Sequence, residues 1–305
     1  MEKLNQVRTT LRNRYIIEVI IIIMLIIVVA MYVNPGFFIL ILIIGRIITV
    51  KFNSKLEEQY RKEFKDTFVL KALESKFTNL VYDFSKGIPR DVISNTKMMW
   101  TGDEYHSEDY ISAEYKDIKF EQSDVHITEE REYTDSEGRR RKETVTIFKG
   151  RWLIFEFNKE FKANIQIAQK NFAGSTVKTK KTIFDKFNKT EEELFKKVSM
   201  ESETFNKKFN VFAQNEHDAF YIITPSLMER IERLEEKNKG TLLFCFVNNK
   251  LHIGICDNKN SFEPGSVFKK INEEETIRKT SAEIGIITQF VDELNLDNNL
   301  FKKEI

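Results

Sequence analysis

Two cysteines in 305 residues are too few to staple a secreted scaffold or to build a four-thiolate zinc site. Four prolines and eleven glycines are too few for a disordered or low-complexity chain. Excess charge is missing as well: 48 Lys and Arg stand against 47 Asp and Glu, a formal net of +1. There is therefore no electrostatic footprint for nucleic acid. No Ser-His-Asp arrangement, HExxH, GxGxxG or kinase signature occurs, so no motif encodes chemistry and no cofactor is implied. The length leaves room for one large domain or two ordinary ones.

What the chain does have is an apolar stretch in one place. Residues 1–14 carry a net charge of +3, residues 15–50 a net of zero from Glu18 and Arg46, and residues 51–305 a net of −2. Val19 to Val33 is uncharged. Extended back to Tyr15, it makes a helix of roughly 28 Å, enough for a hydrocarbon core of about 30 Å. Asn34-Pro35-Gly36 then interrupts it, because Pro35 disfavours helix in the residue before it and Gly36 permits a tight reversal. A second apolar run, Phe37 to Val50, contains Arg46 and reaches roughly 24 Å if Arg46 snorkels.

The pattern predicts an α+β protein with an N-terminal transmembrane helical hairpin. A basic segment 1–14 leads into membrane helices over about 15–33 and 37–50, and a cytoplasmic α+β domain with an antiparallel sheet fills 51–305. A cleaved signal peptide is disfavoured by the length of the run and by the lack of an A-x-A-like site. A hairpin that enters the bilayer without crossing it stays open, since the second run is short. Lys3, Arg8, Arg12 and Arg14 precede the hairpin, Lys51, Lys55, Arg61 and Lys62 follow it, and the turn is uncharged. The positive-inside rule puts both termini in the cytoplasm in either case. Glu18 and Arg46 would pair across the hairpin or snorkel separately, and the second is favoured because both lie toward the cytoplasmic side.

Beyond Lys51, Tyr60, Phe64, Phe68, Leu73, Phe77, Leu80 and Val81 recur at helical steps, which predicts a long helix over about 52–84. Alternation at Tyr110–Tyr115, Ile118–Glu121, Thr144–Phe148, Trp152–Phe157 and Ile165–Ile167 predicts antiparallel strands, with Tyr133–Lys142 as an exposed hairpin tip. Thr190 with Glu193 suggests a capping box, Phe209–Phe212 a strand, and Thr224-Pro225 the start of a helix stopping at Gly240. Thr241 to Cys256 reads as a hairpin turning at Asn248-Asn249, with Leu242, Phe244, Phe246, Leu251, Ile253 and Ile255 on its core face. Asn272 with Glu275 caps a final helix whose core stripe is Ile277, Ile284, Ile287, Val291 and Leu294.

Several stretches recur together. They are Ile147-Phe148-Lys149-Gly150-Arg151-Trp152 leading into Phe155, Phe157 and Phe161, then Val198–Phe205 with Phe209-Asn210-Val211. Ala219–Pro225, Met228-Glu229, Leu251–Ile255 and Phe262-Glu263 follow. In this order they resemble a bacterial membrane-anchored family numbered 3137 among the domains of unknown function, over most of residues 60–270. The resemblance implies a cytoplasmic domain on a short hairpin at the bacterial cytoplasmic membrane, with a LemA-like membrane protein as a suggested partner. It carries over no activity and no catalytic residue.

The hairpin register sets Cys245 opposite His252, with Cys256 opposite Thr241. A soft metal or an activated thiol would need further ligands or an orienting group, and packing on the sheet's second face is the better reading. Asp103–Asp109 concentrates acids around His106 and could hold a divalent cation, yet it lacks the glycine and ligand order of a calcium loop; a solvated acidic loop is the ordinary explanation. Gly174–Lys181 could meet a phosphate or anionic headgroups but lacks the end of a P-loop. Glu201, Glu203, His217 and Asp218 are the remaining acid–histidine grouping. The expected function is a non-enzymatic membrane protein holding an interaction domain at the inner face of the membrane. The alternative is a tethered sensor or enzyme with a site built from scattered residues.

Overall fold

The computed structural model describes residues 1–32, 38–156, 164–172, 195–294 and 296. Among the described residues nine strands form one antiparallel sheet in the order β1-β2-β3-β4-β9-β8-β5-β7-β6, accompanied by helices, as an α+β fold. The chain divides into two compact units, Met1–Ser75 with Phe262–Ala282, and Lys76–Ser261 with Glu283–Ile305.

The first unit is built on α1 (Glu2–Tyr32) and α2 (Phe38–Phe64). Their polar contacts fix an antiparallel pairing. Lys3 meets Glu63, the Tyr15 hydroxyl donates to Glu57, and Asn53 Nδ2 donates to both carboxylate oxygens of Glu18 at 2.9 Å. At the base, Leu4, Val7, Leu11, Tyr60, Phe64 and Phe68 are buried. Segment 262–272 joins this base: Arg8 Nη1 donates to the carbonyls of Val267 and Lys269 at 3.1 Å, and Glu263 pairs with Arg61 at 2.8 Å and Lys65 at 3.0 Å. Both helices outrun the apolar runs, since α1 begins at Glu2 and α2 continues unbroken past Lys51.

Of the two readings of Glu18 and Arg46, the pairing across the hairpin is the one not found, and two further expectations for this region are not met or fall elsewhere. Glu18 is bonded to Asn53 and makes no ion pair with Arg46, which is exposed. Among the described residues no helix is long and apolar enough to cross a membrane. The fully described apolar part of α1 covers 15–29 and includes Glu18. Pro35 and Gly36 lie outside the described residues.

The expected helix over 52–84 is also interrupted. After α2 the chain opens into a π-helical turn at Lys65–Val69, resumes as α3 (Leu70–Glu74), and becomes β1 at Thr78–Asp83. Leu80 and Val81 therefore belong to a strand. Asn79 takes φ 51°, which a helix does not tolerate, and Val81 to Asp83 pair with Ser112 to Tyr110.

The second unit carries the sheet. β2 (Glu104–Tyr115), β3 (Ile118–Thr134) and β4 (Arg140–Glu156) form long hairpins, and the turn at 135–138 is the expected tip. The stretches at Thr144 and Trp152 are one strand rather than two. β5 (Ile165–Gln169) and β6 (Lys196–Val198) follow, with β7 (Phe209–Ala213) between them in the sheet. β8 (Thr241–Val247) and β9 (Lys250–Cys256) turn at Asn248-Asn249, both at positive φ, and pair in the expected register. The remaining helices are α4 (Arg90–Ser94), α5 (Glu203–Lys208), α6 (Glu216–Ile222), α7 (Pro225–Lys237) and α8 (Glu273–Leu294). Thr224 caps α7, and the Asn272 side chain accepts from the Glu275 N–H at 3.1 Å. Ile277 is 53% exposed and not part of the core stripe; Ile284, Ile287, Val291 and Leu294 are buried. The Thr190 capping box and the Gly174–Lys181 segment lie outside the described residues.

Both faces of the sheet are buried. On one, Phe120, Leu153, Phe155, Phe244, Phe246, Leu251 and Ile253 share a side. On the other, Ile88, Ile93, Met98 and Met99, from the segment around α4, cluster with Val125, Trp152, Ile154, Leu243 and Cys245. Gly254 is required there: a Cβ would come within 2.8 Å of the Trp152 ring that lies over it.

Candidate functional site

The pair singled out by the hairpin register is structural. Cys245 does face His252, but each bonds elsewhere. Trp152 Nε1 donates to His252 Nδ1 at 3.3 Å, and Cys245 Sγ lies 3.2 Å from Asn164 Oδ1 and 3.6 Å from the Thr96 carbonyl. That carbonyl also accepts from Asn164 Nδ2 at 3.1 Å and Gln166 Nε2 at 3.0 Å, which ties the segment after α4 to the sheet. Burial pushes the Cys245 thiol well above its ordinary pKa, while burial and the Lys250 charge hold His252 at about 4. Both shifts oppose a thiolate–imidazolium pair.

The acidic stretch at 103–109 is not a loop. From Glu104 it is strand β2, and this places its side chains in order. His106 lies opposite His126 and Glu108 opposite Asp124, and β4 extends the two rows with Lys149 and Arg151. Paired residues and their i+2 neighbours share a face, so two imidazoles, two carboxylates and two cations stand together. All of these but the buried Arg151 line a cleft of about 80 Å³, closed by Lys259 and Asn260 from the turn after β9. The alignment depends on a bulge. The register shifts between Glu108 and Ile111, where Asp109 sits at φ 58° and accepts from the Tyr82 hydroxyl at 2.6 Å. Such bulges redirect side chains.

Asp124 is 4% exposed. One oxygen accepts from the Ser261 backbone N–H, while Oδ1 has no hydrogen-bond partner. Burial raises its pKa to about 7, against the Ser261 N–H and the Arg151 guanidinium, which lower it, and with Asp109 adding to the rise. Glu108 accepts from Asn260 Nδ2 at 2.7 Å, and His106 Nε2 lies 3.6 Å from its other oxygen. Burial, Lys149 and His106 all push His126 below the ordinary imidazole pKa. Asp124 and His126 were missed from the sequence because each stands alone in a run of unlike residues. Glu201 and Glu203 flank the N-cap of α5, His217 and Asp218 begin α6, and these four form no metal-holding cluster among the described residues.

The other surface of note is the shaft of the α1/α2 hairpin. Ten large apolar side chains between Ile16 and Val28 and eight between Ile39 and Val50 are 43–61% exposed. Gly45 lets the two helices approach, since a Cβ there would lie 2.9 Å from Ile22 Cδ1.

Residues 146–296, about half of the chain, match a family described as a protein of unknown function, DUF3137. Over that stretch the chain belongs to this family. No curated protein matches it. Among solved structures, the crystal structure of the mycobacterial trehalose monomycolate transport factor A is similar over 79% of this chain and 95% of its own. The two are 8% identical with a TM-score of 0.36, a likeness that carries no argument about function.

Proposed function

We propose that the DUF3137 chain is a membrane-held interaction module. Its α1/α2 hairpin seats in the lipid bilayer, and its α+β domain stands on the cytoplasmic side. The observation that carries this reading is the shaft, whose apolar side chains over Ile16–Val28 and Ile39–Val50 are exposed everywhere except along the face where the two helices meet. Soluble monomers rarely expose contiguous apolar patches beyond a few hundred Å², and a helix apolar all round needs an apolar medium. The described run of α1 over 15–29 is shorter than a full span at roughly 22 Å, and the sequence continues it, uncharged, through Val33. Polar pairs collect at the basic end: Tyr15 with Glu57 and Glu18 with Asn53. Lys and Arg flank both helices there, the pattern that keeps both ends in the cytoplasm.

Cysteine labelling in a Cys256→Ser background tests the arrangement. Glu2→Cys and Lys55→Cys should react with a membrane-impermeant maleimide in inverted vesicles but not in intact cells. Leu25→Cys should resist in both until detergent is added. Rapid labelling of Leu25→Cys in intact membranes would remove the proposal.

A further inference from the structure

We propose that the cleft between β2, β3 and β4 binds a divalent transition-metal ion, with His106, His126, Glu108 and Asp124 as its ligands. Two imidazoles and two carboxylates form a donor set for Zn²⁺ or Co²⁺ rather than for the harder Mg²⁺ and Ca²⁺, which take oxygen ligands alone. The backbone already orders the four. Directly opposed residues on antiparallel strands hold their Cβ atoms about 4.5–5.5 Å apart, and His106–His126 and Glu108–Asp124 are two such pairs in successive rows.

An independent observation points to a ligand. Asp124 lines the cleft, and its buried Oδ1 has no hydrogen-bond partner, whereas buried polar atoms are otherwise almost always satisfied. An anion would meet this carboxylate unfavourably. Size narrows the choice further. The cleft of about 80 Å³ has room for an ion with one or two waters at about 30 Å³ each. It is too small for an organic ligand, whose pockets run to about 300 Å³ or more.

Two lysines face the site. Lys259 is exposed and lies 4.0 Å from Asp257, and Lys149 sits beside His126; both have flexible stems that can turn their charge to solvent. The four ligands do not yet bring three donor atoms within 4.8 Å of one another. His106, 68% exposed at its side chain, is the group that turns inward when the ion arrives.

The test uses the full-length chain in detergent, without a polyhistidine tag, titrated with Zn²⁺ against a chromophoric chelator and with Co²⁺ by visible absorption. One equivalent should bind, with ligand-field bands for Co²⁺. H106Q/H126Q and D124N should each weaken Zn²⁺ binding at least tenfold, and H217Q should leave it unchanged. Equal affinity in H106Q/H126Q and wild type, or loss of binding in H217Q alone, would overturn the proposal. Since a variant could fail to fold, imidazole NMR of the wild type provides a second measurement. The chain has four histidines, and Zn²⁺ should shift His106 and His126 while His217 and His252 stay in place. Shifts confined to the latter two, or none at all, would equally refute the site.

Discussion

A buried imidazole that accepts a hydrogen bond is stable only while it is neutral. His252 is such a group, with Trp152 donating to Nδ1 at 3.3 Å and a pKa held at about 4. Between an unfolded value near 6.5 and this folded value, the unfolded chain binds a proton that the folded chain refuses. Stability is therefore complete above about pH 6.5 and falls as pH drops toward 4, by up to about 3 kcal/mol. His252→Gln, which cannot take up the proton, should flatten that slope in urea unfolding measured from pH 4 to 7. Gly254→Ala should cost about 1–3 kcal/mol, as overpacking of a core does, because its methyl group meets the Trp152 ring; the denaturation midpoint checks this. The opposition of Cys245 and His252 could be read from the Asn248-Asn249 turn. Their inertness could not, because it depends on burial under the segment around α4, far away in sequence.

At the scale of elements, caps and turns were the most legible features, since their causes are local. Thr224, Asn272 and Asn248-Asn249 each act where their side chains and φ preferences place them. Thr224→Ala should destabilise the protein by about 1 kcal/mol through the lost cap on Leu227, measurable by thermal unfolding. The β2–β3 hairpin shows the opposite case. Its turn at Lys116-Asp117 leads to the pairing of Ser112 with Glu121, and an unbroken register would then put Glu108 opposite Val125. The bulge at Asp109 moves the pairing by one residue, so that Glu108 meets Asp124 and His106 meets His126. A one-residue slip transfers every side chain to the other face, and no residue pattern announces this one. The break of the aromatic stripe after Phe77 was equally hidden, because aromatic residues suit strand and helix alike.

For the whole molecule, the α+β class and the antiparallel sheet followed from where period-two and period-3.6 patterns lie. The return of segment 262–282 to the helical unit did not, since Arg8 bonds carbonyls more than 250 residues away and long-range pairing leaves no local trace. The apolar shaft, by contrast, was plain in the composition of residues 15–50, and it bears the central claim that this chain lives in a bilayer. The most direct measurement is extraction of native membranes with alkaline carbonate and high salt, followed by flotation of the pellet through a density gradient. The account predicts that the full-length chain stays with the lipid and floats, and that Ile23→Lys/Ile44→Lys releases it. Release of the unaltered chain into the supernatant would contradict it.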